Sequence, residues 1–170
     1  MKRAHKEAIV PMPGPIRQIG YVVADIEEQV REWLELGIGP WYVLRGVEQT
    51  GIYRDSACTV SLSIAFAQSG EVQLEVVQQE NDAPSIYSDF AGGFHQLAWW
   101  AEDFEAALAR VRRPVVWSAD SVTRYAFFES DGGPAPYLEL SEYTERAAGL
   151  ARMVRDAAER WNGADPVRSL

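Results

Sequence analysis

Short segments in which apolar and polar residues alternate are the main feature of this chain, and one of them occurs twice. Residues 96–106 align without a gap on residues 18–28. Each copy predicts a short strand with an apolar face, then an aspartate (Asp25 or Asp103) at a helix N-cap, then an amphipathic helix. An internal repeat of this kind predicts two related modules.

Three more strand-like segments follow the helix in each half. They cover residues 41–44, 58–67 and 72–77 in the first half, and residues 114–117, 122–128 and 137–140 in the second. The polar stretch at residues 46–55 contains Thr50-Gly51 and predicts a loop. Each half therefore has the order β-α-β-β-β. We predict an α+β protein in which two such modules form a curved mixed sheet around a central pocket, with a C-terminal helix added.

These segments predict the boundaries of the domain. A flexible N-terminal arm covers residues 1–15, and the domain covers residues 16–143, with module one at 16–80, a linker at 81–93 and module two at 94–143. The remaining residues, 144–170, contribute a helix and a tail. The helix is predicted over about residues 142–161, with Ser141 at its N-cap and a loose tail after it. Its apolar stripe predicts a homodimer; the alternative is that Leu150, Met153 and Trp161 pack on their own sheet.

Composition excludes several classes of function. The chain has 170 residues, a net charge of −9 and a sequence pI of about 4.7, which argues against binding to nucleic acid or to an anionic membrane surface. Cys58 is the single cysteine, so no intrachain disulfide can form. With no apolar run long enough for a signal peptide or a membrane span, we expect a cytoplasmic protein.

Four polar residues lie inside otherwise apolar strands. Gln18 and Gln96 occupy the first strand of each module, and Glu75 and Glu139 occupy the last. Burying such groups is costly unless they are paired, hydrogen-bonded or bound to a metal. Each glutamate alone could face solvent on a half-exposed sheet. Because the pattern occurs twice, we predict instead that all four side chains converge on one cavity.

At these residues the chain resembles the vicinal oxygen chelate superfamily, which includes glyoxalase I, methylmalonyl-CoA epimerase, extradiol dioxygenases and antibiotic-resistance proteins. The resemblance covers roughly residues 16–143. It rests on the two modules, on residues 19–25 and 93–99, and on Leu138-Glu139-Leu140. Methylmalonyl-CoA epimerase-like members look nearest, because residues 75–90 resemble their linker. One fold hosts many chemistries, so the resemblance predicts the fold better than the activity.

The resemblance implies an open metal site whose positions fall on Gln18, Glu75, Gln96 and Glu139. A histidine is expected where this chain has Gln96, so the site is degenerate. Two carboxylates and two amide oxygens would suit a divalent Mg, Ca or Mn ion rather than iron or zinc, which excludes an extradiol dioxygenase. We expect no cofactor, with such an ion as the alternative. His95 is expected behind the sheet, because strand alternation points it away from Gln96; the alternative is a β-bulge that rotates it inward, which nothing in the sequence demands.

Without a metal, Glu75 and Glu139 could act as an acid and a base. Two carboxylates in one apolar cavity push their pKa values apart, and such a pair can move a proton beside a carbonyl group, with a glutamine amide hydrogen-bonding the enolate oxygen. We therefore predict a glyoxalase-like isomerase, epimerase or lyase that works through an enolate-like intermediate.

Aromatic residues predict the ligand. The expected pocket walls are Trp100, Tyr137, Trp41, Tyr87, Phe90, Tyr125 and Phe127. Such walls suit a small hydrophobic or aromatic carbonyl compound. The alternative function is a non-catalytic ligand-binding protein of the drug-sequestering type, which needs aromatic walls but no buried carboxylates.

Overall fold

The computed structural model describes residues 11–170 of the chain. The first half contains β1 (Gln18–Val22), α1 (Ile26–Glu35), β2 (Trp41–Tyr53), β3 (Ser56–Ser69) and β4 (Val72–Gln79). The second half contains β5 (Gly93–Ala101), α2 (Phe104–Leu108), β6 (Val115–Asp120), β7 (Arg124–Glu129) and β8 (Tyr137–Glu142). The chain then continues through α3 (Glu145–Glu159) and β9 (Val167–Ser169). The predicted pair of β-α-β-β-β modules with a C-terminal helix is confirmed.

Both module helices begin at the repeated aspartates, as the sequence predicts. The Asp25 carboxylate accepts hydrogen bonds from the backbone N–H groups of Glu27 and Glu28, both at 3.0 Å. The Asp103 carboxylate accepts one from Ala106, also at 3.0 Å. These bonds satisfy backbone donors that a helix start leaves without a partner. Helix α2 is shorter than predicted, because its last turn tightens to i→i−3 bonds after Leu108.

The strands form one mixed sheet that closes on itself. Their order is β3-β4-β1-β5-β8-β7-β6-β2-β9, and β2 also pairs with β3, so the strands other than β9 make a ring. The modules meet where β1 pairs with β5 and again where β2 pairs with β6. At the second junction a Cβ on Gly51 would lie 2.4 Å from the backbone oxygen of Ser118, so this close approach requires glycine.

Alternation along the strands sorts side chains onto an inner and an outer face of the ring. The outer face of module one packs against Ile26 and Val30 of α1, and that of module two packs against Phe104 of α2. The inner faces share one apolar cluster, which joins Phe66 of module one to Phe127 of module two. Polar residues on the inner face of β1, β4, β5 and β8 are therefore held inside a common interior.

The loop predicted at residues 46–55 is wrong. Residues 47–53 are the second half of β2 and pair with β3, and the turn lies at Arg54 and Asp55, which have φ values of 44° and 66°. Gly51 had suggested a turn, but it serves the contact between modules instead. Polar residues are compatible with a strand here because alternate positions face solvent.

The predicted start of the last helix is also wrong. Helix α3 is capped by Thr144, whose hydroxyl accepts a hydrogen bond from the backbone N–H of Ala147 at 3.1 Å, whereas Ser141 lies in β8. The apolar stripe of α3 packs inward, since Leu150 and Val154 join the inner cluster. Part of the stripe that suggested a homodimer is thus used within the chain, whereas Met153 is exposed, and the homodimer stays a prediction.

The tail predicted to be loose is bound to the sheet. Strand β9 pairs in parallel with the start of β2, where the backbone N–H of Trp41 donates to Pro166 O at 2.8 Å and that of Leu170 donates to Val43 O at 3.1 Å. Three residues are too few for alternation to show in the sequence.

Residues 1–10 of the predicted N-terminal arm lie outside the described residues. In the part that follows, Met12 packs against the cluster under α2. No helix within residues 11–170 is long and apolar enough to cross a membrane.

Candidate active site

Two glutamates from different modules meet at one glutamine amide on the inner face of the sheet. Gln96 Nε2 lies 2.8 Å from Glu75 Oε2 and 3.4 Å from Glu139 Oε2. Strand pairing explains this meeting, because β5 lies between β1 and β8, and β1 also pairs with β4. The structure thus brings together three of the four residues that the repeat singled out.

The fourth residue, Gln18, lies beside this group with a different partner. Its Nε2 donates to Gln73 Oε1 at 2.7 Å, and both side chains are buried. Gln73 was missed in the sequence, although it lies two positions before Glu75 and therefore on the same face of β4. Ser141 was missed as well; its hydroxyl donates to Glu139 Oε1. Its position two residues after Glu139 was the available signal.

His95 faces the interior, so its expected place behind the sheet is wrong. The pairing of β1 with β5 shifts between Gly20 and Tyr21, which lie opposite Gln96 and Phe94. His95 is the additional residue of this β-bulge, and a bulge breaks the alternation on which the expectation rested. The ring is fully buried, with Nδ1 against Gln96 Oε1 and Nε2 at 3.1 Å from Ile86 O.

Gly20 makes room for this arrangement. A Cβ on Gly20 would lie 2.1 Å from Gln96 Nε2 and 2.2 Å from Gln96 Cδ. The amide of Gln96 therefore lies directly over the Gly20 backbone, and only glycine leaves space for it. The glycine in the first copy of the repeat thus provides the space for the glutamine in the second.

Most of the aromatic residues predicted to line a pocket enclose His95. Ring centroids lie 4.6 Å away for Tyr137, 5.0 Å for Phe90, 5.7 Å for Tyr87 and 6.2 Å for Phe127. Tyr125 belongs to the same cluster, where it packs on Phe127 and donates a hydrogen bond to Gln49. These rings form a wall around the histidine and the glutamine beside it.

Trp41 and Trp100 do not belong to that wall, and their assignment to the pocket is corrected. Trp41 is fully buried under α1, where its indole N–H donates to Ile38 O at 3.0 Å. It lies on the outer face of the sheet, because alternation along β2 turns the next residue, and not Trp41, inward. Trp100 stacks on Tyr143 at 5.3 Å, with the Arg17 guanidinium 4.9 Å above its ring, at the far end of β5.

Burial raises the pKa of both carboxyl groups. The pKa of Glu139 rises to about 7, although a hydrogen bond from Ser141 favours its ionised form. The pKa of Glu75 is raised well above its usual range, first by burial and then by the negative charge of Glu139. Glu75 keeps some solvent exposure, but its carboxylate lies among the inner side chains, where poor hydration dominates. Near neutral pH the pair therefore holds a proton.

The residues as arranged do not fit a metal ion. A cation between Glu75 and Glu139 would have to displace the Gln96 amide that lies between them, and Gln18 is engaged with Gln73. Within residues 11–170 no group of three or more His, Cys, Asp or Glu side chains could hold an ion. We therefore derive no step through a metal; the divalent ion considered from the sequence stays a prediction.

This combination of paired modules, closed mixed sheet and shared inner site defines a class of protein. The sequence signature described as the Glyoxalase/Bleomycin resistance protein/Dioxygenase superfamily matches residues 17–119. The chain belongs to this superfamily, whose broader name is the vicinal oxygen chelate superfamily. No curated protein matches the chain at a significant level.

Solved structures share the fold at low sequence identity. A hypothetical protein from Bacillus halodurans C-125 has a TM-score of 0.57 and 17% identity, over 77% of this chain and 95% of that chain. Methylmalonyl-CoA epimerase from Mycobacterium tuberculosis has a TM-score of 0.55 and 19% identity, over 85% and 97%. A methylmalonyl-CoA epimerase in complex with methylmalonyl-CoA has a TM-score of 0.54 and 15% identity, over 76% and 94%. At these identities the likeness establishes the fold.

Proposed function

We propose that this protein is an isomerase, epimerase or lyase that moves a proton on the carbon beside a carbonyl group. The observation that supports this proposal is the meeting of Glu75 and Glu139 at the Gln96 amide, with the pKa of both carboxyl groups raised by burial. A buried pair of this kind supplies an acid and a base at the same pH.

The two carboxyl groups take different roles because their surroundings differ. Glu139 accepts a hydrogen bond from Ser141, which favours its ionised form, and it acts as the base. Glu75 holds its proton more strongly and acts as the acid. The carbon–hydrogen bond breaks, its proton moves to Glu139, and the O–H of Glu75 hydrogen-bonds the enolate oxygen that forms. Delivery of a proton to the opposite face of that carbon gives the epimer, and delivery to another carbon gives the isomer. Loss of a group from the next carbon, with its bonding electron pair, gives the lyase product.

The substrate class follows from the walls of the site. Tyr87, Phe90, Phe127 and Tyr137 surround the polar group with rings, so the part of the substrate beside the reacting carbon is apolar. The two epimerase structures with a similar fold make an acyl thioester a reasonable first probe. A purely sequestering protein would bind the same kind of compound without needing two buried carboxyl groups, which favours the catalytic alternative.

Proton exchange into known compounds tests the proposal. The protein is incubated in D2O with methylmalonyl-CoA and with a panel of aromatic ketones that carry an acidic C–H, and deuterium uptake is followed by mass spectrometry. We expect uptake with at least one compound, and a loss of about 10²-fold or more in Glu139→Gln and in Glu75→Gln.

Glu48→Gln is the matched control, because Glu48 is an exposed strand residue outside the interior. It should leave the exchange rate unchanged. If the panel compounds bind, as shown by thermal shift, and none takes up deuterium, the sequestering function is correct and the enzymatic proposal is wrong. Full exchange in both glutamate variants would also exclude the assigned roles.

A further inference from the structure

The hydrogen bonds of His95 fix which of its ring nitrogens carries hydrogen. Nε2 lies 3.1 Å from the backbone oxygen of Ile86, an atom that can only accept a hydrogen bond. Ile86 is fully buried, so bulk water cannot donate a hydrogen bond to this oxygen in place of His95. Nε2 therefore carries a hydrogen.

The other ring nitrogen, Nδ1, faces the side-chain amide of Gln96. If the amide oxygen faces Nδ1, both ring nitrogens must carry hydrogen and His95 is a cation. If the amide nitrogen faces Nδ1, the ring is neutral and Nδ1 accepts. A half-turn of the amide about its last bond exchanges its oxygen and nitrogen and leaves the rest of the network in place.

The surroundings of the ring favour the neutral form. Its neighbours are the rings of Tyr87, Phe90, Phe127 and Tyr137, and its side chain has no solvent exposure. The two hydrogen-bond partners of the ring, the backbone oxygen of Ile86 and the side-chain amide of Gln96, are both uncharged and offer no counter-ion. A buried imidazolium without a contacting carboxylate is costly.

The carboxyl pair gives a second reason for a neutral His95. With His95 protonated, both Glu75 and Glu139 would be ionised at one glutamine amide in an apolar interior. Moving that proton to a glutamate removes a buried cation and one of two adjacent buried anions, while the net charge of the site is unchanged.

We propose that His95 is a positioning residue whose unprotonated Nδ1 accepts a hydrogen bond from Gln96 Nε2. This bond turns the Gln96 oxygen toward the glutamates, where it accepts a hydrogen bond from a protonated carboxyl group. Before substrate binds, Glu75 is the donor to that oxygen, because it is the nearer of the two to the Gln96 amide, at 2.8 Å against 3.4 Å. On binding, its O–H turns to the substrate oxygen. Gln96 thereby distinguishes the acid from the base. The catalytic meaning of this arrangement rests on the proposed function, whereas the arrangement itself does not.

Nitrogen NMR tests the proposal directly. The chain has two histidines, His5 and His95, so a His5→Gln protein labelled with 15N gives the two nitrogen signals of a single imidazole ring. We expect a neutral ring near pH 7, protonated at Nε2 and bare at Nδ1, with a scalar coupling across the hydrogen bond from Gln96 Nε2 to Nδ1. An imidazolium signal, or a neutral ring protonated at Nδ1, overturns the proposal.

A second measurement uses the carboxyl groups. In His95→Phe the acceptor at Nδ1 is gone, so the Gln96 nitrogen can turn to the glutamates and favour their ionised forms. With 13C-labelled glutamate, assigned through Glu75→Gln and Glu139→Gln, we expect the upper pKa of the pair to fall by about one unit or more. An unchanged or raised value overturns the proposal.

These outcomes are independent of the exchange assay. The NMR measurements need no substrate, so they can succeed when no panel compound reacts. They can equally fail while Glu139→Gln abolishes exchange. If His95→Phe does not fold, the tautomer and the coupling in the His5→Gln protein still decide.

Discussion

Gly20→Ala perturbs the candidate site through a single methyl group. The added Cβ would lie 2.1 Å from Gln96 Nε2, far inside any tolerated contact, so one of the two must move. The backbone of β1 is held between β4 and β5, whereas the glutamine side chain can rotate. We therefore expect the amide of Gln96 to be driven away from Glu75, Glu139 and His95.

The loss can be estimated from the hydrogen bonds involved. Gln96 is 1% exposed, and its amide bonds to two carboxyl groups and to a buried imidazole. A hydrogen bond to a charged partner contributes roughly 1.5–3 kcal/mol, and a buried partner left without one adds a desolvation cost. We expect Gly20→Ala to lower the free energy of unfolding by about 2–4 kcal/mol.

A double-mutant cycle separates this effect from ordinary crowding. In a Gln96→Ala background there is no amide to displace, so adding Gly20→Ala should cost less than about 1 kcal/mol in urea unfolding. Gly149→Ala in α3 is the matched control: a Cβ there meets nothing within 4 Å, so it should stabilise the helix by about 0.5–1 kcal/mol. Equal costs of Gly20→Ala in the two backgrounds would refute the reasoning.

Three other perturbations have defined outcomes. Glu139→Gln should raise the free energy of unfolding by up to about 3 kcal/mol near pH 8 and by little near pH 4.5. The reason is that a carboxyl group with a raised pKa of about 7 contributes stability at low pH that is lost as the pH rises. An equal effect at both pH values in urea unfolding would contradict this. The exchange rate should fall as the pH drops below about 7, where the Glu139 base becomes protonated, and a rate that rises toward acid would exclude that role. Deleting residues 164–170 removes the bonds of β9 to β2 and should lower the melting temperature by several degrees, about 1–3 kcal/mol; no change would mean that the tail is not docked.

The residues of the carboxyl pair could be predicted from the sequence for a specific reason. A repeat places matching positions of two modules on matching strands, so Glu75 and Glu139 had to share a face with the glutamines. Their alternation with apolar neighbours indicated burial. Neither inference needs a distance between side chains.

His95, by contrast, depends on the pairing between strands. The bulge on β5 arises where its register with β1 shifts, and register is a property of two strands together. The same limit explains the long β2, whose polar second half is held by β3 and β6 rather than by its own pattern. It also explains the docked tail, because the pairing of β9 is set by β2.

The division of the carboxyl pair between the modules makes folding a proton-uptake reaction. Glu75 comes from module one, and Gln96 and Glu139 come from module two, so the environment that raises the two pKa values exists only while the modules are docked. In the unfolded chain both groups return to a pKa near about 4.3. Around pH 6, unfolding should therefore release about two protons from the carboxyl groups, while His95, neutral in the folded protein, takes up most of one as its pKa returns to about 6.5. In calorimetry the apparent enthalpy of unfolding would then change with the ionisation enthalpy of the buffer. In Glu75→Gln together with Glu139→Gln only the proton uptake at His95 remains, so the dependence should reverse its sign.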